Sequence, residues 1–510
     1  MKNKLIIVAI CIGLLPHALK AQTTTTNGPE LDLNETASAY VLDDNDDYML
    51  FFSQKKGWSY DDVVITKYNK RTLEILEQAV DDDYEGRFVF LTDDNTVANV
   101  VRFVTNKKTM MLEYQKASFP LDVKVPKKLD FTTFFSIPLK NKKESYYTVA
   151  CFNADKSKFA IVSVTNSGSN QSKSPSVVDV AVFDNTANLL YHESKEMELL
   201  YNPMGENVTV SLEGTVYITM VDNLYFYSSG ENGLQIIACS EQGISDYKEI
   251  IDMKFTYKQM LKPNGDLCLV GIWNKVGQSD CKLKTYTVAP DGNVDFVEED
   301  IVFSADYGEK KYDDGPFAKE KGSFIPHVFD MVQLKNGDFL LVGEMRKRVQ
   351  VGSTGENGQF PIYGYLSHNI FYGKVSPEGA LRELYVYPRI TVTSEDGGRW
   401  KDSNPVYAFE YDGEPYLLYN DNRANYKDGR VHMLLYNRPD QCSVILSKIE
   451  GNGELSSTIL YDAKTKMKDT RMVAQQHNHE YFLEILHQAD DGIYYVLKHD
   501  GEFRLEKITF

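Results

Sequence analysis

"LKPNGDLCLVGIWNK" at residues 261–275 returns, barely altered, as "LKNGDFLLVGEMRK" at 334–347. Each copy writes Leu-Lys, then Asn-Gly-Asp, then an apolar run ending Val-Gly. Asn and Gly tolerate a positive φ, so Asn-Gly-Asp between two apolar stretches reads as a tight two-residue hairpin turn. "LCLV" and "FLLV" are too short for helices and read as buried strands. The repeated unit therefore begins strand, short turn, strand.

A second hairpin completes it. "YTVAPDGNVDFV" (286–297), "YGKVSPEGALREL" (372–384), "LSKIEGNGELSST" (446–458) and "YYVLKHDGEFRLEKI" (494–508) share the form. Weaker openings stand at 39–52, 87–103, 147–164, 208–221, 407–419 and 472–486. No amphipathic helix of any length interrupts them. The abundance of Tyr and Phe, 33 and 26 residues, suits half-buried strands. About eight units of four strands, roughly 60 residues apart, are the grammar of a β-propeller. The expected fold is all-β, with four-stranded antiparallel blades. Eight blades are preferred; a seven-bladed ring with one degenerate unit and two smaller propellers are the alternatives.

The Asn-Gly-Asp turn feeding Leu-Val-Gly resembles the propeller repeats of secreted bacterial proteins. The likeness runs along most of the chain and is crisp at 252–303 and 327–390, without a WD dipeptide or a kelch double glycine. It implies a fold, and a fold does not fix a function.

Lys2 and Lys4 precede an apolar run from Leu5 to Leu15, and Ala21-Gln22 offers a small residue before a cut. Residues 1–21 read as a secretory signal peptide, 22–36 as a flexible N-terminal segment and 37–510 as the propeller domain. A membrane anchor and a lipoprotein acylated at Cys11 are the competing readings. The expected location is periplasmic, cell-surface or secreted. No second apolar run is long enough to span a bilayer, so no membrane insertion of the mature chain is expected. Cleavage would remove three lysines and no acid, taking the net charge of −18 further negative. Such a body repels nucleic acid, which is not expected as a partner. Cys151, Cys239, Cys268, Cys281 and Cys442 are dispersed and form no Cys-x-x-Cys; Cys268 and Cys281 are near enough for one hairpin disulfide.

In a four-stranded blade the 1–2 and 3–4 turns emerge on one face, and the 2–3 loops and blade crossings on the other. The short turns read as the first kind. The long segments 165–176, 347–366 and 420–442 read as 2–3 loops, and 304–326 and 388–405 as crossings. One face is minimal and the other elaborated, and loops on a rigid scaffold carry binding and catalysis. Trp58, Trp273 and Trp400 fall on or near the elaborated face, joined by Tyr60, Tyr312, Tyr363, Tyr365 and Tyr426. The candidate ligand contacts are Trp58, Tyr312, Tyr363, Tyr365, Arg399 and Trp400, since flat aromatics suit sugar rings and protein hot spots; packing of the loops against the ring is the competing role.

Motifs for chemistry are weak. "SEDGGRW" (394–400) is one residue short of an Asp-box. "DDNDD" (43–47) has Tyr48 where a calcium loop needs Gly and reads as a hairpin turn. "HNHEY" (477–481) offers two His without an identifiable third ligand. No cofactor and no metal are expected, and no catalytic residues can be named. The sequence favours a binding protein that holds a glycan or a partner protein on its loop-rich face. A polysaccharide-degrading hydrolase or lyase is the alternative.

Overall fold

The computed structural model closes eight small antiparallel sheets into a ring, an eight-bladed β-propeller. It describes residues 24–31, 38–55, 62–81, 87–91, 96–126, 128–140, 145–166, 175–199, 207–221, 232–251, 254–274, 281–301, 303, 324–354, 360–396, 399–401, 406–427, 430–435, 441–462, 470–472, 486–489, 491–499 and 502–510. Blades 1 to 7 cover 38–81, 87–138, 145–197, 208–251, 254–301, 325–401 and 406–462. Among the described residues no helix is long and apolar enough to cross a membrane.

Within blades 1 to 5 the chain lays its four strands side by side in order. The first strands of neighbouring blades approach one another, as in blades 1 and 2, 3 and 4, and 5 and 6, so they line the axis. Outermost strands such as Val294–Ile301 turn mostly exposed side chains outward, whereas Leu267–Asn274, second in blade 5, is buried throughout. Alternation explains that second strand. Leu267 and Leu269 pack with Tyr217 and Ile236 of blade 4. Cys268, Val270 and Ile272 pack with Phe339 and Leu341 of blade 6. Both faces meet a neighbouring sheet, so the run is apolar at every position, and each buried aliphatic side chain contributes about 1.5–3 kcal/mol.

The Asn-Gly-Asp turn is one residue longer than expected. Lys262 N–H donates to the Asp266 carbonyl and Gly265 N–H to the Lys262 carbonyl, with Gly265 at φ +88°. This is a three-residue loop, a type I turn closed by a left-handed residue. Asn264 serves by its side chain, accepting from Asp266 N–H at 3.2 Å. Residues 334–338, 289–293, 376–380 and 450–454 close in the same way.

These turns also join the blades. Tyr217 of blade 4 donates its hydroxyl to the Gly265 carbonyl of blade 5 at 3.0 Å. Tyr191 of blade 3 does so to Gly214 of blade 4 at 2.7 Å, and Tyr372 of blade 6 to Gly453 of blade 7 at 2.6 Å. Thr285 of blade 5 reaches Gly379 of blade 6 at 3.0 Å. The short-turn face is thus a chain of staples, which accounts for the repeated glycine turn.

Blade 8 is built from both ends of the chain. Thr24–Leu31 pairs with Glu502–Thr509, which pairs with Gly492–His499. Thr470–Met472 and Leu486–Ala489 share the innermost place. The segment 22–36, expected to be flexible, therefore supplies the outermost strand of this blade. For the same reason the hairpin at 494–508 joins the second strand of the blade to the third, not the third to the fourth as in the other hairpins of its form. Cys268 and Cys281 pair with Thr287 and Asn274 at opposite ends of adjacent strands. Cys239 and Cys268 are buried free thiols.

Candidate functional site at the loop-rich end of blades 6 and 7

Blade 6 outgrows the ring. Phe339–Thr354, Phe360–Val375 and Leu381–Asp396 are each 16 residues long, against 8 for Leu267–Asn274. The segments 347–366 and 388–405, expected as loops, are largely the outer halves of these strands. The cue was present: Val349 and Val351 alternate with Arg348 and Gln350, which is strand periodicity. Two further pieces widen the extension. Arg399–Lys401 folds back on 394–396, and Met433–Leu435, from the 2–3 loop of blade 7, lies parallel to 390–392.

This extension holds four of the six candidate contacts. Tyr363 is half-buried, with the Arg348 guanidinium 4.1 Å above its ring. Tyr365 is buried, 5.9 Å from Arg346. Trp400 stands across from Glu395 and Arg399 across from Asp396 on the short edge hairpin. Trp58 and Tyr312 lie outside the described residues, as do Tyr60 and the "HNHEY" segment. Trp273 is no surface aromatic: it is buried between blades 4 and 5, stacked on Tyr286, with the Lys284 ammonium 4.7 Å away. "DDNDD" is a hairpin turn in which Asn45 accepts from Asp47 and Tyr48 N–H.

Sequence reasoning missed what lies beneath the extension. Glu344 follows Leu340 and Val342 on the face that meets blade 7, and both it and Arg389 are about 1% exposed. Arg389 Nη1 donates to Glu344 Oε1 at 2.7 Å, and its guanidinium lies 5.6 Å from the Tyr419 ring of blade 7. A bulge helps to aim it. Asn369, at φ +53°, is one residue facing Pro388 and Arg389, and bulges re-aim side chains. On the other side of the seam Asp421 is fully buried. It accepts from Asn425 Nδ2 at 2.8 Å, Asn422 N–H at 2.7 Å and the Tyr426 hydroxyl at 3.0 Å. Burial raises its pKa, against the opposing pull of Arg389 and of these donors. Tyr426 sits in the 3₁₀ turn Arg423–Tyr426 and its hydroxyl also meets those of Tyr419 and Tyr387, at 3.3 and 3.4 Å. The blade 7 loop is thereby strapped over the seam. The sequence cue is a charge directly after a buried run, in "LLVGE" and "LLYND".

A shallow groove of about 760 Å³ opens on the short-turn face, between Tyr411, Asp412, Glu414, Tyr416, Gln488, Ala489 and Phe510. Two of its polar groups are engaged: Gln488 donates to the Glu410 carbonyl at 2.6 Å and Glu414 pairs with Lys448 at 3.3 Å. Among the described residues no three His, Cys, Asp or Glu side chains are grouped to hold a metal ion.

No protein-family model and no curated protein matches the chain. Among solved structures it is similar to the Dos1 propeller, at 9% identity and a TM-score of 0.42 over 95% of both chains. It is also similar to a Penicillium chrysogenum alpha-L-arabinanase complexed with arabinobiose, at 10% identity and TM-score 0.31 over 54% of this chain and 98% of that one. A Synechocystis apocarotenoid oxygenase matches at 9% identity and TM-score 0.33, over 87% of this chain and 94% of that one.

Proposed function

We propose that the chain is an exported propeller that binds a glycan or a partner protein on its loop-rich face, with the blade 6 extension as the platform. The observation that carries this reading is the extension itself: three strands run well past the ring and present Tyr363 beneath Arg348. An aromatic face with a neighbouring guanidinium serves both sugar stacking and protein hot spots. Export is supported by the signal-like residues 1–21, whose removal leaves Thr24–Leu31 in place to complete blade 8.

The test is affinity electrophoresis against a panel of soluble polysaccharides, with Tyr363→Ala, Trp400→Ala and the short-turn control Asn336→Ala. A polysaccharide that retards the parent should be bound about thirtyfold more weakly by the first two variants, a loss of about 2 kcal/mol. Asn336→Ala should retain binding. Equal retardation of all three variants would overturn the assignment of the face.

A further inference from the structure

The seam between blades 6 and 7 carries more hydrogen-bond donors than it uses. Arg346, Ser367 and Thr391 form one row across three strands of blade 6: Arg346 stands opposite Ser367, and Ser367 opposite Thr391. Directly opposed residues share a face, with Cβ atoms about 5 Å apart. Arg346 lies two residues beyond Glu344 on the same strand, so the row faces blade 7. From blade 7, Ser443 stands opposite Asp421 and shares its face. All are buried, at 2% exposure for Ser367, 1% for Thr391 and Arg389, and 0% for Ser443.

Their partners are missing. Arg389 Nε and Nη2, Ser367 Oγ, Thr391 Oγ1 and Ser443 Oγ have no hydrogen bond. Buried polar groups are normally satisfied, and each orphan costs about 1–3 kcal/mol. Four such residues on two facing sheets, under the strapped loop of blade 7, form a group of donors awaiting an acceptor. Glu344 already pairs with one arm of Arg389 through Oε1, and its Oε2 faces Arg346 Nε at 3.5 Å, so the remaining Arg389 N–H groups and the hydroxyls call for acceptor oxygens from outside.

We propose that this seam is a binding site for an oxyanion, a carboxylate or phosphate-type group, held by Arg389 Nε and Nη2 and by the hydroxyls of Ser367, Thr391 and Ser443. The proposal rests on the reading of the loop-rich end as the working face and names the ligand chemistry there. The group can belong to a free anion or to an acidic sugar. Two guanidinium N–H groups side by side match two oxygens of either.

The experiment is thermal unfolding of the full mature chain at constant ionic strength with sodium phosphate, acetate or glucuronate, against chloride alone. Parent and the double variant Ser367→Ala/Thr391→Val are compared. Expected is a saturable rise in melting temperature with at least one oxyanion in the parent, and at least tenfold weaker apparent affinity in the variant. The variant without anion should melt no earlier than the parent, because the lost hydroxyls had no partners. Response to glucuronate alone assigns the group to an acidic sugar, and response to phosphate or acetate assigns it to a free anion. No rise above chloride in the parent, or equal rises in both proteins, overturns the proposal. So does an anion-soaked crystal with only water along the row, which would make the orphans a hydration site. None of these outcomes bears on polysaccharide retardation and its loss in Tyr363→Ala, so the reading of the face is judged separately.

Discussion

Two glycines with the same backbone conformation do different jobs. Gly265 sits at φ +88° with nothing within 4 Å of where a Cβ would go. Gly453 sits at φ +81°, and a Cβ there would fall 2.0 Å from the Tyr385 ring. Gly265→Ala should therefore cost only the left-handed penalty, about 1 kcal/mol. Gly453→Ala adds displacement of Tyr385 beside the Tyr372 staple, for about 3 kcal/mol in total. Urea unfolding of the two variants checks the difference; equal costs would mean that turn conformation alone, and not the staple, explains the repeated glycine. His368 supplies a pH-dependent counterpart. It lies 4.5 Å from the Phe324 ring, and burial lowers its pKa from 6.5 to about 4. The unfolded chain takes up a proton near pH 6.5 while the folded chain resists it until about 4. Stability is thus fully present above pH 6.5 and is lost as pH falls toward 4, by up to about 3 kcal/mol. His368→Gln should flatten that window relative to the parent in unfolding followed at pH 7.5 and 5; identical slopes would show that carboxylates alone set the acid limb.

At the scale of elements, the readable parts were those decided by local chemistry. Gly265 and Gly337 announce turns because few other residues adopt their φ, and "LCLVGI" announces a strand covered on both faces. Count and order of blades 1 to 7, and the four strands of every one of them but blade 6, follow from such signals. The blade 6 extension escapes a sequence reading because Gly352, Gly355 and Gly358 look like loop punctuation, although the alternation of Val349 and Val351 with polar residues just before them is strand-like. Trp273 was placed at the surface because sequence position near a loop does not say which way a side chain turns; the register opposite Phe255 and Lys282 does. The seam was harder still. Glu344, Arg389 and Asp421 are far apart in sequence and become neighbours only when two sheets stack. Their cost is visible only there: each is a charge within a buried strand, tolerable because they face one another.

The whole molecule depends on a closure that no local signal predicts. Blades 1 to 5 are made from consecutive strands and blade 7 lends blade 6 only the short strand Met433–Leu435, but the eighth borrows Thr24–Leu31 from the other end of the chain. Beside it the ring is sewn shut by charge. Lys70 of blade 1 bonds to Asp44 and lies 3.8 Å from Asp491 of blade 8, which pairs with Lys507 at 2.5 Å. The Tyr494 hydroxyl spans the same joint, donating to the Lys70 carbonyl at 3.3 Å. A shortened chain that begins at residue 32 keeps this polar joint but loses six residue pairs from the outer ladder. At about 0.5 kcal/mol or more for each lost ladder bond, the deletion should cost about 3 kcal/mol or more. It would also leave Glu502–Thr509 as a bare edge, an invitation to pair with another molecule. Light scattering should then show association that grows with concentration, together with earlier melting. A chain that begins at Gln22 should show neither, because every residue of the closing strand remains. If the chain from residue 32 stays monomeric and melts with the one from Gln22, the strand is an ornament and the ring is held by the charged joint alone.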